Sequence, residues 1–216
     1  MTSNFSRSVP FQPRLWRAVV CIAIAGTLLL GGCKLDSNLD PPDTPISEER
    51  DGDSGWTQSV DAGDHEDSVV WYRARLEGDY LVIEATHHEG WHTYAMDNEL
   101  RSKEKLAGEM AVGVEVPTSF SVQGATVVGP WFQSPPKDLS DKEISWYTWG
   151  FPGTALFASK LKGVKAKVLV IEIRGQCCNA ETCCDVDLEL RLDSTTNRTA
   201  VAVDLDKLIR VRESAQ

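Results

Sequence analysis

Two neighbouring runs near the C-terminal end of the sequence constrain the fold more than any other feature. Residues 167–174 (KVLVIEIR) are strongly apolar, and residues 186–193 (VDLELRLD) alternate between apolar and charged side chains without a break. Successive side chains of a β-strand point to opposite faces, so this period of two predicts two strands that each bury one face. Between the runs lie four of the six cysteines of the chain, in the sequence Cys177-Cys178-Asn-Ala-Glu-Thr-Cys183-Cys184. We expect residues 175–185 to form a hairpin loop or an excursion at the strand ends.

The rest of the body also has the character of short strands. Glycine, proline and asparagine separate β-branched and aromatic runs at intervals typical of an all-β sandwich. The predicted strands are residues 68–75, 79–86, 91–95, 119–122, 125–128, 143–149 and 154–161. Helical pattern is scarce: residues 98–110 suit a turn or short helix, and residues 205–212 either extend a last strand or fray. We therefore expect a sandwich domain over residues 60–205 and a C-terminal tail over residues 206–216.

The N-terminus has the pattern of a secretion signal. Residues 1–17 carry three arginines and no acidic residue, and residues 18–30 are apolar and uncharged. This apolar run of 13 residues is too short to span a bilayer comfortably, as is usual for a signal peptide. Leu30-Gly31-Gly32-Cys33 then resembles a bacterial lipobox, in which small residues precede the cysteine that receives the lipid. We predict a lipoprotein signal peptide over residues 1–32 and lipidation at Cys33.

An acidic linker follows the predicted lipidation site. Residues 33–59 are rich in Asp, Glu, Pro, Ser and Gly and hold few apolar side chains to bury, so we expect a flexible, disordered tether.

The formal net charge of the chain is −10, which argues against nucleic-acid binding. Lys34 after the lipidated position favours the outer membrane by resemblance to Gram-negative lipoproteins. A periplasm-facing lipoprotein of the cell envelope lies in an oxidising compartment, where disulfides form.

The four clustered cysteines allow several pairings and three kinds of chemistry. Nested pairs (Cys178–Cys183 inside, Cys177–Cys184 outside) and crossed pairs are both open, because four cysteines have three connectivities. A strained, exposed disulfide would be redox-active. Two disulfides that join the strands of a hairpin would instead be structural. Four thiolates would also bind zinc or cuprous copper, although two adjacent cysteines match the usual spacing of metal ligands less well. A domain of about 145 residues buries an adequate core without disulfides or metals, which weakens the interpretation of the four cysteines as purely structural.

Five motifs occur in an order that resembles a known family. They are Gly90-Trp91-His92-Thr93-Tyr94, Val116-Pro117-Thr118, residues 131–137 ending in Pro135-Pro136-Lys137, residues 145–150 (SWYTWG), and Cys178 with Cys183, which four residues separate. In this order they resemble the N-terminal periplasmic domain of the thiol:disulfide interchange protein DsbD. That family has an immunoglobulin-like β-sandwich fold, which agrees with the strand pattern.

The resemblance implies roles for individual residues. Cys178 and Cys183 would be the reactive pair, exchanging electrons with thioredoxin-like or DsbD-type partners without a cofactor. Residues 145–150 would form an aromatic cap that shields the pair, with Trp146, Tyr147 and Trp149 as its members. The additional cysteines, Cys177 and Cys184, depart from the family pattern. They would supply a resolving thiol, a second structural disulfide or a metal site.

Two alternatives to thiol–disulfide exchange stay open at the level of sequence. The 216 residues contain neither the eight-helix membrane domain nor the thioredoxin-like domain of DsbD, so exchange would require separate reductants. A non-catalytic envelope lipoprotein with structural disulfides is one alternative, and a cysteine-based metal-binding protein is the other. His87-His88-Glu89 with His92 matches no helical zinc motif, and we interpret it as a polar strand edge.

Overall fold

The computed structural model describes residues 55–64, 67–107 and 115–213. The predicted signal peptide, the lipidation site at Cys33 and most of the predicted linker lie outside the described residues. Among the residues that are described, no helix has both the length and the apolar character needed to cross a membrane.

The described part of the chain consists of short and medium β-strands with one α-helix. In chain order the elements are β1 Val60–Asp64, β2 Asp67–Glu77, β3 Tyr80–His87, β4 His92–Tyr94, α1 Asn98–Lys105, β5 Ser119–Gln123, β6 Thr126–Gln133, β7 Lys137–Asp138, β8 Trp149–Pro152, β9 Thr154–Lys162, β10 Val168–Cys178, β11 Cys183–Asp193, β12 Arg198–Thr199, a 3-10 turn Leu205–Lys207 and β13 Ile209–Arg210.

The strands form two sheets that enclose the core. The first sheet has the order β1-β2-β3-β9-β6-β13, with β12 beside β2. The second has the order β11-β10-β4-β8-β7, with β5 beside β10. All pairs are antiparallel except that of β12 with β2. The fold is an all-β sandwich, as the strand pattern predicted, and its two sheets are consistent with the immunoglobulin-like type that the family resemblance implied.

The β10–β11 hairpin supplies much of the second sheet's inner face. Leu169, Ile171 and Ile173 of β10 are fully buried, and their apolar partners on β11 lie on the same face. These side chains contact the inner residues of the first sheet in one continuous core. The predicted alternation is confirmed, but the strands are longer than predicted. The ladder continues to Cys178 and resumes at Cys183, so the four cysteines are strand residues and only residues 179–182 form the turn.

One predicted strand is wrong. Residues 142–145 are turns, and β8 begins only at Trp149. The Asp141 carboxylate accepts a hydrogen bond of 2.9 Å from the Glu143 backbone N–H, which favours a turn over an extended chain. Ser145 then adopts a positive φ of 56°, which no strand permits.

Both ends of the described domain extend beyond the predicted boundaries of 60 and 205. On the N-terminal side, the Thr57 backbone N–H donates to the Ala74 carbonyl at 2.9 Å, and the Trp56 ring lies beneath the guanidinium of Arg75 at 4.2 Å. On the C-terminal side, β13 pairs with β6 and completes the edge of the first sheet. Residues on each side of the predicted limits therefore belong to the sandwich.

Candidate functional site

A disulfide joins Cys178 and Cys183 across the tip of the β10–β11 hairpin. The two residues are direct partners in the ladder, with Cα atoms 4.0 Å apart. Asn179 organises the turn between them: its side-chain oxygen accepts hydrogen bonds of 2.8 Å from the backbone N–H groups of Glu181 and Thr182. An asparagine at this position is a common turn former, because its side chain replaces a backbone acceptor. The local sequence thus builds a tight turn that presents the disulfide at the end of the hairpin.

The two sulfur-bearing residues differ in exposure. Cys178 lies between β11 and β4 and is only 2% exposed, whereas Cys183 on the open edge of the sheet is exposed. Thiol–disulfide exchange requires that a thiolate reach one sulfur atom of the bond. In this fold, access from solvent is to Cys183.

Two rings of β4 lie beside the disulfide on the outer face of the second sheet. His92 is the direct partner of Cys178 in the β4–β10 ladder, and the His92 and Tyr94 rings meet edge to face with centroids 5.2 Å apart. Burial lowers the pKa of His92. Burial, together with the charge of Glu115 and that of Cys177, raises the pKa of Tyr94 to about 12. Both rings are therefore neutral near pH 7 and give the disulfide a low-polarity wall.

Gly150 allows its own strand, β8, to lie close to β4, which carries His92 and Tyr94. A Cβ atom at that position would lie 2.5 Å from the Thr93 carbonyl oxygen, 2.9 Å from Leu139 and 3.4 Å from the His92 ring. Real Cβ atoms essentially never come within 3.0 Å of a neighbour. Only glycine permits β8 to pair with β4 at this separation.

The segment predicted to form the cap, residues 145–150, is held by buried and half-buried polar contacts. The Trp146 indole N–H donates to the carboxylate of Glu115, whose charge also acts on Tyr94. The buried Asn98 side chain of α1 bonds with the Thr148 hydroxyl, and its oxygen accepts the Trp149 backbone N–H at 2.7 Å. Helix α1 thus fixes the C-terminal half of the cap, and Glu115 fixes the indole at its start.

The three aromatic residues of the cap have different surroundings. Trp146 and Tyr147 are half-buried, in the irregular chain before β8. Trp149 lies within β8 and packs against the core on the same face as Phe151, away from the face of His92. The Trp146 indole thus bonds to Glu115, the charge of Glu115 acts on Tyr94, and the Tyr94 ring meets the ring of His92, the ladder partner of Cys178.

The other two cysteines lie on the opposite face of the same hairpin. Cys177 and Cys184 are direct ladder partners, and they carry thiols. Cys177 is fully buried in the core, against which Cys184 also packs. Burial, followed by the charge of Cys184 and a hydrogen bond with it, raises the pKa of Cys177 to about 12. The four cysteines are therefore two separate pairs, because neighbouring side chains on a strand point to opposite faces.

Polar groups surround the Cys177 thiol in the core. The buried Tyr72 hydroxyl bonds with the Thr93 side chain, and burial together with the charge of Cys177 raises the pKa of Tyr72. His87 bonds with Thr93 through Nε2 at 3.0 Å and with the Gly153 carbonyl through Nδ1. Burial lowers the pKa of His87, so this ring is a neutral core residue. In the described ranges, no group of three or more His, Cys, Asp or Glu side chains has the arrangement of a metal site.

Sequence reasoning found the cysteines but missed the residues that position them. Asn98 and Glu115 hold the cap, and Asn179 holds the turn. Only Asn179 had a signal in the sequence, since asparagine directly after a strand favours a turn. The contacts of Asn98 and Glu115 join elements 30 to 50 residues apart in the chain, and no local pattern encodes them.

Comparisons with known proteins give likenesses to solved structures. No model of a known protein family matches the chain, and no curated protein matches it. The N-terminal periplasmic domain of ScsB from Proteus mirabilis is similar, with 19% identity, a TM-score of 0.49 and coverage of 66% of this chain and 53% of that one. The chain thus spans about half the length of that structure.

Two structures from Neisseria meningitidis are also similar. The DsbD N-terminal domain in its reduced form has 13% identity and a TM-score of 0.42, covering 58% of this chain and 84% of that one. A complex between the DsbD and PilB N-terminal domains has 12% identity and a TM-score of 0.35, covering 56% of this chain and 80% of that one.

Proposed function

We propose that this chain is an extracytoplasmic thiol–disulfide exchange protein whose reactive pair is Cys178 and Cys183. The observation that carries the proposal is the asymmetry of the disulfide at the hairpin tip: Cys183 is exposed and Cys178 is 2% exposed. A purely structural clamp gains nothing from one accessible sulfur. An exchange site needs it, because the attacking thiolate must approach along the S–S bond.

In the reductive half of the proposed cycle, a thiolate of a partner dithiol attacks the sulfur of Cys183. The bond between Cys183 and Cys178 breaks, a mixed disulfide forms between Cys183 and the partner, and Cys178 leaves as a thiolate. The second thiol of the partner then attacks the partner's own sulfur and releases Cys183. The partner has lost two electrons to become a disulfide, and Cys178 and Cys183 have become thiols.

The oxidative half reverses these steps on a different protein. The Cys183 thiolate attacks a disulfide of that protein, and one of its cysteines leaves as a thiolate. Cys178 then attacks the Cys183 sulfur, which closes the original bond and releases the second substrate thiol. Cys178 is suited to the resolving role because it lies opposite Cys183 in the ladder and is shielded from external disulfides.

The aromatic cap gives this site selectivity for proteins over small thiols. Trp146 and Tyr147 would cover the approach to the disulfide, and Trp149 would anchor the segment in the core. The Glu115 and Asn98 contacts support this role, because they hold the segment in one position. A protein partner supplies enough contact area to displace such a lid, whereas glutathione does not.

The site of action follows from the N-terminal sequence. We propose that residues 1–32 direct export, that lipid on Cys33 anchors the chain at the outer membrane facing the periplasm, and that the chain from Cys33 to residue 54 acts as a tether. Thioredoxin-like or DsbD-type proteins are the partners that this arrangement suits. The acidic composition does not suit nucleic acid.

A mixed-disulfide assay tests the proposal. A thioredoxin-type probe with a single cysteine, activated as its mixed disulfide with thionitrobenzoate, is added to the reduced Cys178→Ser and Cys183→Ser variants. Trypsin cleaves after Arg174 and Arg191, so residues 175–191 form one peptide on which the adduct is mapped. We expect the probe to join Cys183 at least tenfold faster than Cys178.

Two results would contradict the proposal. One is equal adduct formation at Cys178 and Cys183, which would remove the asymmetry. The other is failure of a reduced thioredoxin-type protein to open the wild-type disulfide while it opens the same bond in the urea-unfolded chain. The Cys177→Ser variant serves as the matched control, because it leaves intact Cys178 and Cys183, the pair on the outer face of the second sheet (the outer pair).

A further inference from the structure

The core-facing pair of cysteines has a geometry that the exchange site does not use. Cys177 and Cys184 are opposite each other in the ladder, one step further from the turn than Cys178 and Cys183. The Asn179 N–H bonds to the Thr182 carbonyl at 2.9 Å, so these turn residues occupy a hydrogen-bonded position of the ladder. Positions alternate along antiparallel strands, which makes Cys177 and Cys184 a hydrogen-bonded pair as well.

A pair of this kind lies within reach of a disulfide. Opposed residues at hydrogen-bonded positions have Cα atoms about 5.5 Å apart, and disulfides join cysteines at about 4.4–6.8 Å. The two side chains leave the hairpin on the same face and already form a hydrogen bond. Closing the bond needs no shift in register, but the Cβ atoms of a hydrogen-bonded pair, about 5.5 Å apart, must approach to about 4.5 Å as the side chains rotate.

We propose that Cys177 and Cys184 form a second thiol–disulfide couple. A small disulfide molecule oxidises this couple by reacting first with Cys184, and the resulting Cys177–Cys184 bond holds the hairpin together while the Cys178–Cys183 bond is open. This couple is independent of the exchange activity proposed for the outer pair, since the two pairs lie on opposite faces of the hairpin.

The chemistry balances with oxidised glutathione as the small disulfide. The Cys184 thiolate attacks one sulfur of glutathione disulfide, which gives a Cys184–glutathione mixed disulfide and one glutathione thiolate. The Cys177 thiolate then attacks the Cys184 sulfur, forms the Cys177–Cys184 bond and releases the second glutathione. Two protein thiols are oxidised, and one glutathione disulfide is reduced to two thiols.

The burial of Cys177 determines which step is slow. Cys184 is half-buried and Cys177 is fully buried, so glutathione meets Cys184 first and Cys177 acts as the resolving thiol. Cys177 interacts electrostatically with Cys184 on β11, with Tyr72 on β2 and, across the sheet, with Tyr94 on β4. None of them is a cation that would stabilise a thiolate. Burial is the largest cause that raises the pKa of Cys177, and it persists when Cys184 carries glutathione, so few Cys177 thiols are ionised at pH 7 and closure accelerates with pH.

The second couple would change what happens when the outer pair is reduced. With all four cysteines reduced, the tip of the hairpin depends on backbone hydrogen bonds and the Asn179 turn alone. With the Cys177–Cys184 bond closed, the two strands stay joined one residue below the exchange site. Cys178 and Cys183 then remain opposite each other in the dithiol state, in position for the next closure.

Differential alkylation of the full chain tests this inference. The chain is incubated with oxidised glutathione, remaining thiols are labelled, and labels are counted on the tryptic peptide of residues 175–191, which excludes Cys21 and Cys33. In the Cys178→Ser/Cys183→Ser variant only the inner pair remains. We expect this peptide to pass from two labels to none, without bound glutathione, and the melting temperature of the variant to rise by about 5 °C on closure.

Retention of two labels would overturn the inference, provided the same variant loses them when it is unfolded in urea. A peptide that ends with glutathione on Cys184 and a label on Cys177 would also overturn it, because the resolving step would then be absent. The Cys177→Ser/Cys184→Ser variant is the matched control for the outer pair. Failure of exchange at Cys178 and Cys183 would leave the label count of the inner pair unchanged, so the two proposals are tested separately.

Discussion

Removal of one hydrogen bond from the proposed cap should make the disulfide, in which Cys183 is already exposed, react faster with small thiols. The Trp146→Phe substitution keeps an aromatic ring in the cap and deletes the indole N–H that donates to the Glu115 carboxylate. The remaining contacts of the cap, through Asn98 to Thr148 and Trp149, are unchanged. The variant thus loosens the start of the cap without removing the segment from its place.

The size of the effect follows from the type of bond and its exposure. A hydrogen bond to a charged group contributes about 1.5–3 kcal/mol when well buried. Trp146 and Glu115 are half-buried, so we take about 1–2 kcal/mol for this bond. Because about 1.4 kcal/mol corresponds to a tenfold change in an equilibrium, the open fraction of the cap should rise about 5- to 30-fold.

The assay measures the rate at which reduced glutathione opens the Cys178–Cys183 bond. Alkylation of the newly formed thiols, counted on the peptide of residues 175–191, gives this rate. If the cap shields the disulfide, the rate should rise by the same 5- to 30-fold in Trp146→Phe. Glu115→Gln keeps an acceptor for the indole and should give a smaller increase. Trp56→Phe, at a tryptophan that stacks on Arg73 and Arg75 of the first sheet, is the matched control and should react like wild type. A Trp146→Phe rate within twofold of the control would refute the shielding role.

Two further predictions concern the support of the site. Burial lowers the pKa of His87, so this residue binds a proton more readily in the unfolded chain than in the folded one. The contribution of His87 to the free energy of unfolding is therefore retained above pH 6.5 and lost below it, by at most about 1.4 kcal/mol per pH unit. Urea unfolding at pH 7 and pH 5 should show a larger loss for wild type than for His87→Gln, and equal losses would contradict the assignment. Gly150→Ala places a Cβ 2.5 Å from the Thr93 carbonyl oxygen, and should lower the free energy of unfolding by about 1–3 kcal/mol. An unchanged urea midpoint would show that β8 and β4 can separate without loss.

The hairpin is the part of the fold that the sequence predicts best. Leu169, Ile171 and Ile173 repeat with a period of two, and burial of one face leaves a single register for the ladder. The same alternation, continued to the cysteines, separates Cys177 from Cys178 by face. The nested pairing was open in the sequence only because the strands were predicted to end before the cysteines.

The cap and its support are the part that the sequence could not predict. Residues 143–149 have the β-branched and aromatic composition of a strand, but Asp141 and Ser145 turn the chain. The segment is placed instead by Asn98 and Glu115, which are distant in the chain and have no periodic pattern. Propensity describes the local chain, whereas these contacts depend on the tertiary arrangement.

The reduction potential of the Cys178–Cys183 couple tests the central proposal most directly. In the Cys177→Ser/Cys184→Ser variant, labels on the peptide of residues 175–191 are counted after equilibration in glutathione buffers of increasing reducing power. A bond used for exchange should open with a midpoint between about −180 and −270 mV, the range of proteins that pass electrons between thiols. A bond that stays oxidised below about −300 mV would be structural, and would contradict the proposal that this chain exchanges disulfides.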